Sequence, residues 1–465
     1  MTSRSMKVEG RLPASFRDPS GFLYHHEHTL YRQVNQSYQT HFEAAQTSGL
    51  FEALWNAGLL IRHEAVSVPA FNPSVAWKVI RPEPLEFVSY PYEWSFSQLQ
   101  DAAIATLEVQ SHALQRGMSL KDASAYNIQF HRGRPVLVDS LSFEVLRPDQ
   151  PWIAYRQFCQ HFLAPLALMA LRDIRLGQLL RIHLDGVPLD LASRLLPRAS
   201  WARFSLVVHI HLHALSQQRF AGRPVGQAGR QASMGMPALR GLVDSLRSGV
   251  RGLRWKPRGT PWSAYQTTDS YSEVAANAKQ ALVAAFLSQA KPKTVWDLGA
   301  NTGSFSRLAS SQGVFTVAWD LDPGAVEQNY LSARENPDPN LLPLLLDLAN
   351  PSPGIGWDLA ERGSFFDRGP ADALLALALV HHLAIGNNVP LASLARTFRR
   401  MGDWLAVEFV PKEDPQTRRL LASRVDIFPD YDQKGFEAAF REHFHILEAN
   451  PIPESQRILF TMKGL

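Results

Sequence analysis

Between Thr294 and Ala309 the chain reads TVWDLGANTGSFSRLA. An apolar run meets an acid, two glycines follow four residues apart, and a segment able to be helical comes next. A buried strand ending near Asp297, a turn through Gly299 and Gly303, and then a helix satisfies that order. This is the opening unit of a doubly wound α/β sheet, in which ligands bind outside the carboxyl ends of the strands. Glycine at the turn permits φ > 0 and removes the Cβ that would hold a ligand away from the backbone.

The rest of the C-terminal half keeps the alternation. FTVAWD, LLPLLLD, ADALLALAL, WLAVEFV, HILEAN and RILFTM read as strands, most of them separated by helical segments. Apolar strands alternating with helices predict a parallel sheet covered on both faces. Acids recur at the strand ends, with Asp320 closing the second and Asp347 the third. A single Asp is readily explained as a turn or helix cap. Three at successive strand ends, behind a G-x-x-x-G turn, are hard to explain as caps alone.

A dinucleotide fold uses G-x-G-x-x-G to seat a pyrophosphate at a helix N-terminus. Here the spacing differs, and an acid precedes the first glycine. That suits a cofactor with a cationic amino-acid end and no pyrophosphate, as in S-adenosylmethionine, whose ammonium an acid can hydrogen-bond. On this reading Asp297, Gly299, Ala300, Asn301 and Gly303 surround the methionine end. Asp320 accepts the ribose hydroxyls beside Leu321, with Asp322 as second choice. Asp347 meets the adenine amino group, and Leu346 or Leu348 packs on the ring.

Residues 294–410 resemble a class I S-adenosylmethionine-dependent methyltransferase. VWDLGANTG matches the family's first motif, and Asp320 and Asp347 match its second and third. The resemblance implies a Rossmann-like seven-stranded sheet whose last strand runs antiparallel, and HILEANPIPESQRILFTM fits the final hairpin. NPSPGIGW, LALALVHHLAI and EFVPKEDPQ also resemble a bacterial group related to nodulation protein NoeA, a likeness that identifies no substrate.

Methyl transfer is an in-line displacement, and much of its catalysis is positioning. A base is needed only where the acceptor is protonated. His381 and His382 are expected at the end of the fourth strand, followed by Asn387 and Asn388. Glu408, Lys412, Glu413 and Asp414 are expected at the end of the fifth. His381 or His382 is the candidate general base, since imidazole titrates near neutrality. The alternative is that the pair shapes the pocket and caps the next helix. Adjacent side chains diverge, which disfavours a shared metal. The N-P-P-Y-type motif of amino-methylating enzymes is absent, which weighs against adenine or glutamine acceptors. A small molecule, a glycan or a protein remains as the unidentified methyl acceptor.

The first half raises a second possibility. In LKDASAYNIQFHRGRPVLVDS, Asp122 and Asn127 stand five apart, and Asp139 follows a short hairpin. That pattern resembles the catalytic loop and metal-binding Asp of protein-kinase-like folds, where Asn127 and Asp139 would hold magnesium if the domain were an active kinase. The departures are several. SLKD stands for H-R-D, DSL stands for D-F-G, and no Gly-rich loop is visible. Arg32 or Lys78 occupies the place of the expected lysine. A turn built from Asp and Asn is the competing explanation.

A chain of 465 residues predicts two or three domains. The expected division is an α+β domain over 1–215, a basic linker with an amphipathic helix over 216–265, and the methyltransferase domain over 266–465. In the linker helix, Leu239, Leu242, Val243, Leu246, Val250 and Leu253 share one face. It either docks on a neighbouring domain or meets an anionic surface. The N-terminal domain is expected to recruit substrate or partner. In the alternative it is the kinase-like phosphotransferase or nucleotide binder, beside a methyltransferase fold that binds cofactor without turnover. A net charge of +4 gives no strong nucleic-acid signal, and the single Cys159 excludes a disulfide framework and any Cys-based zinc site. No signal peptide or stretch long enough to span a bilayer is seen, so a cytoplasmic protein is expected.

Overall fold

The computed structural model describes residues 10–220, 234–257, 272–422 and 425–465. These fall into two compact units. One is drawn from Lys7–Lys256 with Gly356–Glu361, the other from Pro257–Ile355 with Arg362–Leu465.

The first unit opens with an antiparallel sheet. Strands β1 (Gly10–Arg11), β2 (Gly21–His26), β3 (Thr29–Asn35), β4 (His63–Val66) and β5 (Ala76–Pro82) lie in the order β1-β2-β3-β5-β4. The apolar periodicity from Tyr38 to Leu60 suggests one helix. The structure has two, Gln39–Thr47 and Leu50–Asn56, because Gly49 between them adopts φ 69° and ends the first. EFVSYPYEW reads as a short strand broken by proline, and it contains a 3-10 turn over Pro91–Glu93, where proline starts the turn and the Glu93 carboxylate accepts the Tyr90 N–H. Just upstream, the Gln129 side chain clamps Ser89, accepting its N–H at 2.8 Å and donating to its carbonyl at 2.9 Å.

Ser95 and Gln98 form a capping box at the start of the Phe96–Gln115 helix. Strands β6 (Met118–Leu120), β7 (Ile128–His131), β8 (Arg134–Leu137) and β9 (Phe143–Val145) follow, with β7 and β8 paired as a hairpin and β6 paired to β9. Beyond them the unit is helical. Cys159 is fully buried there, in keeping with its small apolar character. The Met236–Gly252 helix packs on Phe96–Gln115 through Leu239, Val243, Leu246 and Val250, all buried. Gln100 donates to the carbonyls of Val250 at 2.8 Å and Leu253 at 3.1 Å, and Arg247 donates to Ser111 Oγ at 2.8 Å. The apolar face of this helix is thus covered within its own unit. Of the basic residues around it, Arg223, Arg230 and Arg258 lie outside the described residues.

The second unit contains β10 (Thr294–Leu298), β11 (Phe315–Asp320), β12 (Leu341–Leu345), β13 (Ala371–Ala376), β14 (Gly402–Phe409), β15 (Phe444–Pro451) and β16 (Ile458–Gly464), in the order β12-β11-β10-β13-β14-β16-β15. The chain reverses sheet direction after β12, so β10 pairs in parallel with both β11 and β13. Crevices for ligands form at such switch points. The strand β16 alone runs antiparallel to its neighbours. Val283, Phe286 and Leu287 of the Glu273–Ala290 helix join Val295, Ala373, Leu375, Ala406 and Leu459 in a core on one face of the sheet. Two strands stop short of their apolar runs. β12 ends at Leu345, two residues before Asp347. β13 ends at Ala376, and Ala378 at φ 51° turns the chain away before His381 and His382.

Candidate functional site

Asp297, one residue from the end of β10, is buried and accepts a hydrogen bond from Ser306 Oγ at 2.6 Å. Burial pushes its carboxyl up to about 6; the Ser306 bond works against this, and nearby Asp320 adds to it. The loop that follows folds over β11. Both Gly299 N–H and Ala300 N–H donate to the Trp319 carbonyl at 2.9 Å. Asn301 takes a left-handed conformation at φ 50°, and its N–H donates to Asp320 Oδ2 at 2.7 Å.

Gly303 is required twice over. Its φ is +81°, and a Cβ there would lie 2.5 Å from the side-chain amide of Asn329 on the Pro323–Glu335 helix. Asn329 is itself fixed by Arg307, which donates to Oδ1 at 2.8 Å. The segment after the glycines is helical only over Ser306–Ser310, too short to offer a pyrophosphate the helix end that a dinucleotide fold supplies.

Asp320 is oriented by the backbone. Oδ2 holds Asn301, and Oδ1 accepts the Asp322 N–H at 2.8 Å. Each oxygen retains a lone pair for a further donor. Burial raises this carboxyl too, while those backbone bonds oppose the rise. Asp322 is buried and caps the next helix by accepting the Gly324 N–H at 2.7 Å, which leaves Asp320 as the acid presented at the strand end. Leu321 beside it is exposed.

The Leu346 N–H donates to the Asp320 carbonyl at 2.9 Å, tying the ends of β11 and β12 together. Asp347 accepts its own loop's Ala349 N–H at 2.9 Å, and it and Leu348 are half-buried. The structure therefore brings the three acids to adjacent strand ends, since Asp297 registers with Ala318 and Asp320 with Leu345. None of the three has an ion-pair partner among the described residues.

Beyond β13, the His381 and His382 rings are 4.0 Å apart. His381 is fully buried, and neither ring nitrogen has a hydrogen-bond partner among the described residues. Burial holds it well below the ordinary histidine range, with His382, Arg457 and Lys279 adding to the effect. His382 is only partly buried; desolvation, with Arg457 adding, lowers it to about 4. Both rings are neutral at neutral pH. Asn387 and Asn388 are exposed.

Two acids that the sequence places near the acceptor are occupied elsewhere. Glu408 pairs with Lys279 at 2.7 Å and with Arg457 at 3.5 Å, and Arg457 Nε donates to Asp414 at 2.7 Å. All four side chains are buried. Lys412 pairs with Asp426 at 2.8 Å. The sequence does carry a signal for Lys279. It lies at four-residue spacing between Ala275 and Val283, on the buried face of its helix.

A second polar cluster lies in the N-terminal unit. Asp122 accepts Gln157 Nε2 at 2.8 Å and the Ser124 N–H at 3.0 Å, and it is hydrogen-bonded to Asn127. Its carboxyl is raised by burial and then by Asp139. Asp139 accepts the Leu141 N–H and Ser142 Oγ, each at 2.8 Å, and pairs with Arg32 at 2.8 Å. Arg32 also reaches Asp18 at 3.3 Å. Lys78 instead stands over the Trp77 ring at 4.3 Å. Among the described residues no group of three or more His, Cys, Asp or Glu side chains is placed to hold a metal ion.

No protein-family model matches the chain. It is 36% identical over 461 residues to nodulation protein NoeA of Rhizobium meliloti (strain 1021), a match covering 98% of this chain and 96% of that protein. The chain belongs to the NoeA family. Among solved structures it is similar to the bifunctional kinase-methyltransferase WbdD, with 16% identity and a TM-score of 0.31 over 44% of this chain and 42% of that one. The match thus spans less than half of WbdD. It is likewise similar to magnesium protoporphyrin IX methyltransferase (ChlM) from Synechocystis PCC 6803 with bound SAH, with 15% identity and a TM-score of 0.31 over 44% of this chain and 95% of that one.

Proposed function

We propose that the C-terminal unit binds S-adenosylmethionine and transfers its methyl group to an acceptor. The observation that carries this reading is Asp320. It ends β11 with both oxygens oriented by backbone N–H groups and lone pairs left over, beside a loop in which Gly303 has no room for a side chain. The residues fit the group. Three acids with no ion-pair partner among the described residues suit an ammonium, a ribose diol and an adenine amino group, and they oppose a pyrophosphate. Asp297, Gly299, Ala300, Asn301 and Gly303 would hold the methionine end, Asp320 and Leu321 the ribose, and Asp347 and Leu348 the adenine. When bound, the cofactor supplies an electrophilic methyl on a sulfonium.

His382, the more accessible of the two histidines, is neutral and can accept a hydrogen bond from a hydroxyl acceptor, although its lowered value makes it a weaker base than a free imidazole. His381 lies behind it and shapes the pocket. The N-terminal unit recruits the acceptor or a partner.

The test is calorimetric titration of the full chain with S-adenosylmethionine, beside NADH. Micromolar binding of the first is expected. Asp320→Ala should weaken it by about 2–4 kcal/mol, through loss of two charge-assisted hydrogen bonds. An unchanged dissociation constant would move the ribose site elsewhere.

A second reading is favoured by one observation, the convergence of Asp122, Asn127 and Asp139. It makes the N-terminal unit a nucleotide binder beside a C-terminal unit that holds cofactor without turnover. Magnesium–ATP binding that Asp139→Ala abolishes would support it.

A further inference from the structure

From Leu191 to Val243 the chain contains no aspartate or glutamate and seven arginines, where its average composition would place about five acids. The described part of this stretch carries apolar side chains on the surface. Phe204 is 78% exposed, and Trp201, Leu212 and Leu215 are each about half exposed. They belong together. Phe204 opens a run of helix continuing to Phe220, with one wide turn over Val207–Leu212, and Leu212 and Leu215 are neighbours along it. Trp201 stacks on His211 with ring centroids 4.3 Å apart.

The opposite side of this helix is fully used. His209 bonds Tyr155 at 2.8 Å and Ser245 at 2.9 Å, and a Cβ on Gly249 would strike Ser205. The outward face is therefore set by packing, and it is not an unfinished core. Arg198 and Arg203 are exposed beside it, with no acid paired to either among the described residues.

We propose that Trp201, Phe204, Leu212 and Leu215, rimmed by Arg198 and Arg203, form a docking face for an anionic lipid surface. Leucine and phenylalanine gain by entering the acyl boundary and gain nothing from a sugar–phosphate backbone. Tryptophan suits the headgroup level, because its body is apolar and its N–H is polar. Guanidinium groups pair with lipid phosphates in two-pronged fashion. Between Leu191 and Gln218 the chain carries no acid, so this segment itself brings no repulsion to an anionic surface. Single-stranded nucleic acid shares the attraction to arginine, but it stacks on aromatic rings and leaves exposed aliphatic side chains in water.

The experiment is sedimentation of the full chain with vesicles of mixed phosphatidylglycerol and phosphatidylcholine, with phosphatidylcholine alone, and with poly(U) RNA as competitor. The chain should sediment with the anionic vesicles only, and less so as salt rises. The double variant Phe204→Ser, Leu212→Ser should bind at least about tenfold more weakly while melting as the parent does, since both positions are exposed. Arg198→Gln with Arg203→Gln should weaken binding and flatten its salt dependence. Equal binding by the Phe204→Ser, Leu212→Ser variant would overturn the proposal, as would no binding to anionic vesicles. Displacement of the vesicles by poly(U), with tight poly(U) binding lost in the same variant, would assign the face to nucleic acid instead.

Discussion

Asp320 and Asp139 both lie at or just past the end of a strand, and each accepts two hydrogen bonds of 2.7–2.8 Å. Only Asp139 also holds a cation, the Arg32 guanidinium at 2.8 Å. A carboxylate oriented by neutral donors keeps its charge for a ligand. One closed by arginine has its charge answered within the fold, and a metal-bound nucleotide would have to displace that arginine. Under the proposed reading the open acid belongs to the ligand site of the C-terminal unit, and the closed N-terminal cluster is its structural counterpart. It extends to Glu408, which is closed by Lys279 and Arg457 and buried more deeply than either.

The largest effect should come from opening a closed acid. Lys279→Met leaves Glu408 buried against Arg457 alone and should cost about 3–5 kcal/mol of stability, read from urea unfolding. Arg32→Ala should cost about 1–3 kcal/mol, because Asp139 keeps its two neutral donors. Asp320→Ala leaves no buried charge behind, so it should cost only about 1–2 kcal/mol, from the two backbone N–H groups it releases, beside a large loss of cofactor affinity. If Asp320→Ala unfolds the chain and Arg32→Ala does not, the distinction between open and closed acids is wrong.

A pH series sharpens the same contrast. The Asp297 carboxyl titrates near 6, well above the ordinary range of about 4. An ammonium partner prefers the ionised form, so cofactor affinity should rise with pH through about 6 and level off above it. Below that point it should fall by up to about tenfold per pH unit. Stability without cofactor carries the reverse contribution. An acid with a raised folded-state value is favoured while protonated, and that stabilisation is lost as pH rises through about 6. His381 and His382 act in the other sense, because their lowered values remove stability as pH falls below the ordinary histidine range of about 6.5, for His382 down to about 4. Asp297→Asn isolates the first contribution, and its cofactor affinity should be weak and flat with pH. The smallest effect is expected at Asp322→Ala, which removes a helix cap worth about 1 kcal/mol and leaves the cofactor affinity nearly intact.

The sheet and its leading acids were legible because buried parallel strands are written as unbroken apolar runs. TVWDL and FTVAWD stop where the hydrophobicity stops, which puts Asp297 and Asp320 at strand ends. LLPLLLD and ADALLALAL were less readable, since apolar residues continue into the loops. Leu346 and Leu377 are buried without being in strands. That is why Asp347 and the two histidines stand farther out than the sequence suggests. Gly49 broke a helix that apolar spacing alone would have continued, while the break at Pro91 could be read from the proline itself. Glu408 and Asp414 looked like substrate-facing residues, because nothing in one sequence reveals that Lys279 and Arg457, far away along the chain, answer them.

The strand β16 is synthesised after β15, yet it lies between β15 and β14. It also follows Arg457, which bonds Asp414 and reaches Glu408. On the ribosome the sheet therefore has to wait. Until Ile458–Gly464 emerges from the exit tunnel, β14 has a bare edge, β15 has no partner, and the Lys279–Glu408 pair lacks its second cation. A stop codon between Phe409 and Arg457 would leave a chain with an open strand edge and with Glu408 short of its second cation, even though every proposed cofactor-binding position had already been translated.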